Sequence, residues 1–134
     1  MKKAFVTIAV LFSPVFLFAQ LPANGLDVTH YTFNITLNDN NNIIKGVAQI
    51  TTGFLKSVDE ITIDLTHKNK DGKGMVATEV SKNGTNETFE QDDEHLIIHD
   101  KGKPGEENIY SISYEGIPAD GLIISNHKYG TRTF

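Results

Sequence analysis

From Leu26 onward, apolar and polar residues alternate instead of recurring at helical spacing. Tyr31, Phe33, Ile35 and Leu37 occupy every second position, with His30, Thr32, Asn34 and Thr36 between them. Successive side chains of a strand point to opposite faces, so the pattern predicts one buried and one wet face. The strand stops at Asn38-Asp39-Asn40-Asn41-Asn42, residue types that tolerate positive φ and favour turns. A second strand is predicted over 44–54, with Ile44, Ala48, Ile50 and Phe54 inward. Gly46 and Gly53 within it suggest bends or bulges.

Shorter runs follow. Ile61, Ile63 and Leu65 alternate, then Val76, Thr78 and Val80. Asn83-Gly84 is the strongest hairpin signal in the chain. Strands over 88–91 and 95–99 flank the acidic loop Asp92-Asp93-Glu94, and Tyr110, Ile112 and Tyr114 share one side of a strand over 108–114. A turn cluster, Gly116 to Gly121, precedes a last predicted strand, Leu122 to Ser125. Eight short strands with frequent turn signals, and no amphipathic helix past residue 20, predict an all-β sandwich or barrel.

The first residues read differently. Lys2 and Lys3 precede an apolar run, Ala4 to Phe18, interrupted by Thr7, Ser13 and Pro14, and Ala19 offers a cleavage position. The run falls short of the roughly 20 residues of a spanning helix. Residues 1–19 are therefore expected to be a helical secretory signal peptide, and residues 20–134 one exported β domain, with no membrane contact after cleavage. The destination is the periplasm, the cell surface or the medium. Lys2 and Lys3 leave with the peptide, so 12 basic residues fall to 10 against 17 acidic ones and the net charge moves from −5 to −7. Such a balance argues against nucleic acid as a partner. The absence of Cys excludes disulfides, thiol catalysis and thiolate-bound zinc.

Candidate chemistry is sparse. His95 and His99 are four apart, but the intervening Leu96-Ile97-Ile98 favours a strand. Four residues of strand span roughly 13 Å, too far for two ligands of one ion. The acidic loop lacks the Gly and downstream Glu of an EF-hand loop and reads as a solvated hairpin tip. Three formal glycosylation sequons begin at Asn34, Asn83 and Asn86, the first inside a predicted strand. No phosphate loop, dinucleotide fingerprint or Gly-x-Ser-x-Gly occurs, and no spacing singles out a Ser-His-Asp set, so a small hydrolase has nothing to stand on.

The order of motifs resembles a family. Leu26-Asp27-Val28-Thr29-His30-Tyr31 is followed by Ile44 to Ile50, Ile61-Thr62-Ile63-Asp64-Leu65, Val80 to Gly84 and Leu96-Ile97-Ile98. The most specific part is Tyr114 to Leu122, then Tyr129-Gly130-Thr131-Arg132-Thr133-Phe134. Together they resemble the N-terminal β domain of M1-family (gluzincin) zinc aminopeptidases of the exported bacterial type. The resemblance implies an antiparallel, saddle-like β-sandwich, incomplete at its C-terminal end. It implies a non-catalytic fragment that packs on a catalytic domain of the same polypeptide and helps wall its substrate cavity. The family's zinc motif His-Glu-x-x-His and its Gly-x-Met-Glu-Asn strand are both absent, so no catalytic, cofactor or metal residue carries over. Zinc is expected only in that other domain. Tyr129, Gly130 and Arg132 form the segment expected to face the cavity or the domain contact; the alternative role for Tyr129 and Arg132 is to anchor the last strand. The alternative function is a free-standing exported β-sandwich for binding or adhesion. A fragment would also show an unpaired sheet edge and an exposed apolar face, and would self-associate.

Overall fold

The computed structural model describes residues 24–130 and 132–134. The expected signal peptide, 1–19, lies outside the described residues. Among them there is no helix. The strands are β1 (Leu26–Thr36), β2 (Ile44–Phe54), β3 (Ile61–Asp64), β4 (Gly74–Lys82), β5 (Thr85–Asn86), β6 (Phe89–Gln91), β7 (His95–Ile98), β8 (Glu107–Ile117), β9 (Ser125–Asn126) and β10 (Arg132–Thr133). They form a five-stranded sheet in the order β1-β2-β8-β4-β5, a three-stranded sheet in the order β3-β7-β6, and the small β9–β10 pair. Every pairing is antiparallel, and the sheets stay open rather than closing into a barrel.

The core lies where the two larger sheets face each other. Ile50 and Phe54 of β2, Ala77 and Val80 of β4, and Tyr110 and Ile112 of β8 meet Ile61 of β3 and Leu96 and Ile98 of β7. Tyr110, Leu96 and Ile98 are wholly buried. Burying each such side chain contributes roughly 1.5–3 kcal/mol, which makes this cluster the main source of stability.

Two turns show how local chemistry sets the strands. Asn83 (φ 49°) and Gly84 (φ 86°) form the two-residue turn between β4 and β5, the left-handed geometry that matches strand twist. The Asn83 side chain also accepts from the Ile109 N–H at 2.9 Å and donates to Asn108 at 3.0 Å, which fastens the turn to β8. The Asn-rich turn works otherwise than its composition suggests, because Asn83 is the only described non-glycine residue with positive φ. Asn38 Oδ1 instead accepts from the Asn40 and Asn41 N–H groups at 3.0 Å, and its amide donates to the Ile43 carbonyl at 2.7 Å. Side-chain capping closes this loop without left-handed backbone.

Four expectations need correction. The β2–β8 register runs unbroken from Ile44↔Gly116 to Gly53↔Glu107, so neither Gly46 nor Gly53 is a bulge. Gly46 is instead the seat of the Tyr114 ring, whose Cζ would lie 2.3 Å from an added Cβ. The irregularities fall between Val28 and His30 of β1 and between Ala77 and Glu79 of β4. A bulge shifts the inward parity by one residue, which is why Ala77 and Val80 are buried and Thr78 is exposed. The last predicted strand, 122–125, is displaced: 122–124 are irregular, and Ser125–Asn126 pairs with Arg132–Thr133. Finally, the face of Tyr31, Phe33, Ile35 and Leu37 is exposed, at 53%, 57%, 53% and 41%. The upper sheet has three strands against five below. It leaves β1 uncovered and opens a groove that also reaches Ile44, Ala48 and Ile50 of β2 and Ile112 and Tyr114 of β8.

Candidate functional site

The unequal widths create a step. Its floor is the apolar face of β1 with Ile44, Ala48 and Ile50 of β2, and its wall is β3, the open edge of the upper sheet. Pro118 to Leu122 close one end, and the groove holds about 710 Å³. In the β3–β7 ladder Leu65 N–H donates to Glu94 C=O, opposite it, at 2.9 Å. Antiparallel bonding alternates, so the backbone groups of Thr62 and Asp64 point away from β7. Both residues line the groove. A smaller cleft of about 290 Å³ lies under the turn at Pro118, Ala119 and Asp120, bordered by Asn42 and Lys73.

The structure separates the residues of the expected domain-contact segment. Tyr129 is 78% exposed at the tip of the β9–β10 hairpin, its ring 5.1 Å from that of His127 and 4.8 Å from Lys128 Nζ. Gly130 (φ 86°) makes the turn, and its N–H donates to the His127 carbonyl at 2.8 Å. Arg132 turns the other way. Its guanidinium donates to Asn42 Oδ1, which ties β10 to the Asn-rich turn 90 residues earlier, and lies 5.9 Å from the Phe134 ring. Its Nε is buried without a hydrogen-bond partner.

The histidines do not assemble a metal site. His95 opens β7 and His99 follows its last residue, so the two stand at opposite ends of that strand's run. His95 Nδ1 lies 3.2 Å from Asp92 and His99 Nε2 3.5 Å from Glu90. Among the described residues no three His, Asp or Glu converge, so these donors do not fit a zinc ion. Asp92 Oδ1 is taken by the N–H groups of Glu94 (2.8 Å) and His95 (2.7 Å), which hold its carboxyl below the usual range. The acidic loop is thus a backbone-capped hairpin tip.

Two polar arrangements went unread in the sequence. Asp100, just past β7, accepts from Lys82 Nζ at 2.8 Å and from the Tyr110 hydroxyl at 2.7 Å. Burial alone would raise the Asp100 carboxyl, but these two donors, with the Lys101 backbone N–H, outweigh it and hold it low. Burial, then the bond to Asp100, pushes the Tyr110 hydroxyl well up; the same carboxylate raises Lys82. The cluster links the end of β7 to β4 and β8, and none of its three residues lines either groove described above. Gln91 is the second. Its Oε1 accepts from Ala77 N–H at 3.0 Å, and its Nε2 donates to the Leu65 and Met75 carbonyls at 3.1 and 3.0 Å. Spacing gave no signal for either, because the partners lie 10 to 26 residues away.

No family model matches the sequence, and neither does any curated protein. Solved structures do match in fold. A two-domain M1 zinc metallopeptidase mutant bound to L-tryptophan superposes with a TM-score of 0.61 at 23% identity, over 83% of this chain and 24% of that one. The chain has a fold found within M1 zinc metallopeptidases. The mutant from Deinococcus radiodurans bound to a Tyr-Ser-Ala substrate gives a TM-score of 0.62 at 23% identity, over 78% and 23% of the two chains. The M1 zinc metallopeptidase from the same organism gives 0.61 at 23% identity, over 79% and 23%. The chain therefore spans about a quarter of the length of the structures whose fold it shares.

Proposed function

We propose that the chain is a non-catalytic N-terminal β domain of an exported M1-like zinc aminopeptidase, packing on a catalytic domain and helping wall its substrate cavity. The observation that carries the reading is the asymmetry of the match: up to 83% of this chain against 24% of a metallopeptidase. The uncovered β1 face is consistent with it, since a domain that packs on another keeps an apolar surface for the contact. Residues 1–19 serve as the export signal in this reading, and zinc belongs to the other domain. Tyr129, Gly130 and Arg132 lie on the surface offered to that domain. Arg132, held by Asn42, fixes the hairpin so that its tip projects.

The test is the intact mass of the native product, captured from its source with an antibody to residues 20–134. A mass far above 14.8 kDa, with zinc-dependent aminopeptidase activity in the captured material, supports the proposal. A product of residues 20–134 alone overturns it. That outcome favours the second reading, a free-standing exported binding module, for which the groove of about 710 Å³ is the specific observation.

A further inference from the structure

We propose that the open edge of β3 docks one extended segment of the polypeptide beyond residue 134, which joins the upper sheet as a further antiparallel strand. This rests on the reading above, in which the chain continues into a catalytic domain, and it adds the backbone form and side-chain pattern of the contact. The edge supplies the bonds. Ile61, Ile63 and Leu65 turn their backbone groups to β7, so the N–H and C=O groups of Thr62 and Asp64 face the groove. An extended segment satisfies both residues by strand addition.

The side chains set the pattern. Thr62 and Asp64 are exposed, whereas Ile61 is buried and Ile63 and Leu65 are half-buried against the core. Residues directly opposite in an antiparallel pair share a face. The segment therefore carries apolar residues opposite Ile61, Ile63 and Leu65 and polar residues between them. Its apolar side lies over the floor that runs from Ile112 and Tyr114 through Ala48 to Phe33. No Lys or Arg lines the groove.

The position of residue 134 favours this occupant. Thr66 C=O accepts from Met75 N–H at 2.8 Å, and Met75 pairs with Gly116, so β3 finishes beside the end of β8. Ile44, just past the Asn-rich turn, pairs with Gly116 as well. Arg132 bonds to Asn42 of that turn, and the Phe134 ring lies beside its guanidinium. A segment that follows Phe134 thus enters at the end where β3 finishes and runs against β3, as antiparallel addition needs. The solved structures supply the length, since the matched region is 24% of one of them.

The experiment is amide hydrogen exchange, read residue by residue, on the native product captured with the antibody to residues 20–134. Its intact mass is measured first. A product of residues 20–134 alone overturns the reading above and this inference with it. In a longer product, exchange decides the inference separately. The expected result is exchange at Thr62 and Asp64 about 100-fold slower or more than in an unstructured peptide, with matching protection at alternate residues of one segment beyond 134. Free exchange at both amides in a longer product overturns the inference and leaves the reading standing. Thr62→Pro, introduced in the source gene, removes a donor that faces away from β7, which an edge strand tolerates. It should speed exchange at Asp64 and at those alternate residues by about 10-fold or more. Unchanged protection in that variant overturns the strand pairing. If Thr62→Pro fails to fold, exchange of the unmodified product still decides.

Discussion

Gln91→Leu should destabilise the fold by about 2–4 kcal/mol while keeping the shape of the side chain. The Gln91 amide is a bridge between sheets: it sits on β6 and bonds to Ala77 and Met75 of the other sheet and to Leu65 beyond β3. The Ala77 N–H is the costly loss. Ala77 is 7% exposed and lies at the β4 bulge, so its donor would be stranded away from water. The two carbonyls lose less, because half-exposed surroundings let water reach them. An unsatisfied buried group costs about 1–3 kcal/mol, and the two weaker losses add about 1 kcal/mol. The assay is urea unfolding at fixed protein concentration, since association would shift the midpoint. With a slope of about 1.5–2 kcal/mol per M, the midpoint should fall by about 1–3 M. Gln91→Glu separates hydrogen bonding from packing. Its carboxylate accepts from Ala77 but faces two carbonyl oxygens, so it should be as damaging at neutral pH and recover as pH falls toward about 4, because those oxygens favour the protonated acid, which donates again. A Gln91→Leu midpoint within about 0.2 M of wild type, at unchanged slope, would refute the reasoning.

The Lys82–Asp100–Tyr110 cluster sets two pH limits. The depressed Asp100 carboxyl contributes stability that is present above its unfolded value near 4 and lost as pH falls through its lower folded value. The raised Tyr110 and Lys82 groups contribute stability that is present below about pH 10 and lost as pH rises beyond it. Tyr110→Phe removes the donor 2.7 Å from Asp100 and should cost about 1–2 kcal/mol, with a shallower alkaline fall in thermal melts across pH. Gly116→Ala would place a Cβ 2.0 Å from the Gly74 carbonyl oxygen, a backbone collision between paired strands, and should cost about 3 kcal/mol or prevent folding. Gly84→Ala meets open space and bears only its φ of 86°, so about 1 kcal/mol is expected in the same denaturation assay. A chelator should leave the melting temperature of this chain unchanged, because His95 and His99 are committed to Asp92 and Glu90 at opposite ends of β7. A downward shift would reveal a bound ion.

Strand existence was legible because period-2 alternation survives wherever a strand has two unlike faces. Ile44–Phe54 falls where the pattern places it, and the Asn83-Gly84 turn follows from the φ its residues permit. What failed was whatever depends on distant partners. The β4 bulge moves the inward set from Val76 and Thr78 to Ala77, and no local residue announces it. Gly46 and Gly53 look like bulge makers, yet Gly46 is small because a tyrosine ring from β8 needs its space. The hydrogen bonds of Gln91 and Arg132 arise from long-range folding, and their residue types are unremarkable in sequence. The expected contact segment was identified by resemblance alone. Its geometry divides it into a projecting Tyr129 and an Arg132 fastened to the Asn-rich turn.

The β1 face marks the boundary of sequence reading most sharply. Alternation establishes that Tyr31, Phe33 and Ile35 lie on one side, but not that anything lies above them. Edge strands exposed to water are normally blunted by lysine, proline or strong bulges along their length. From His30 to Thr36, β1 has neither lysine nor proline, and its one irregularity falls earlier, between Val28 and His30. Covering Tyr31, Phe33 and Ile35 removes roughly 300 Å² of apolar surface, about 7 kcal/mol gross. A separate molecule gives up rigid-body freedom of similar magnitude, whereas a segment of the same polypeptide gives up far less. The two kinds of occupant therefore compete unequally for one site. Extending the chain with a sequence that fills the step should keep Thr62 and Asp64 protected on dilution. Exposure of those amides in an extended, monomeric protein would show that the step is an open binding groove.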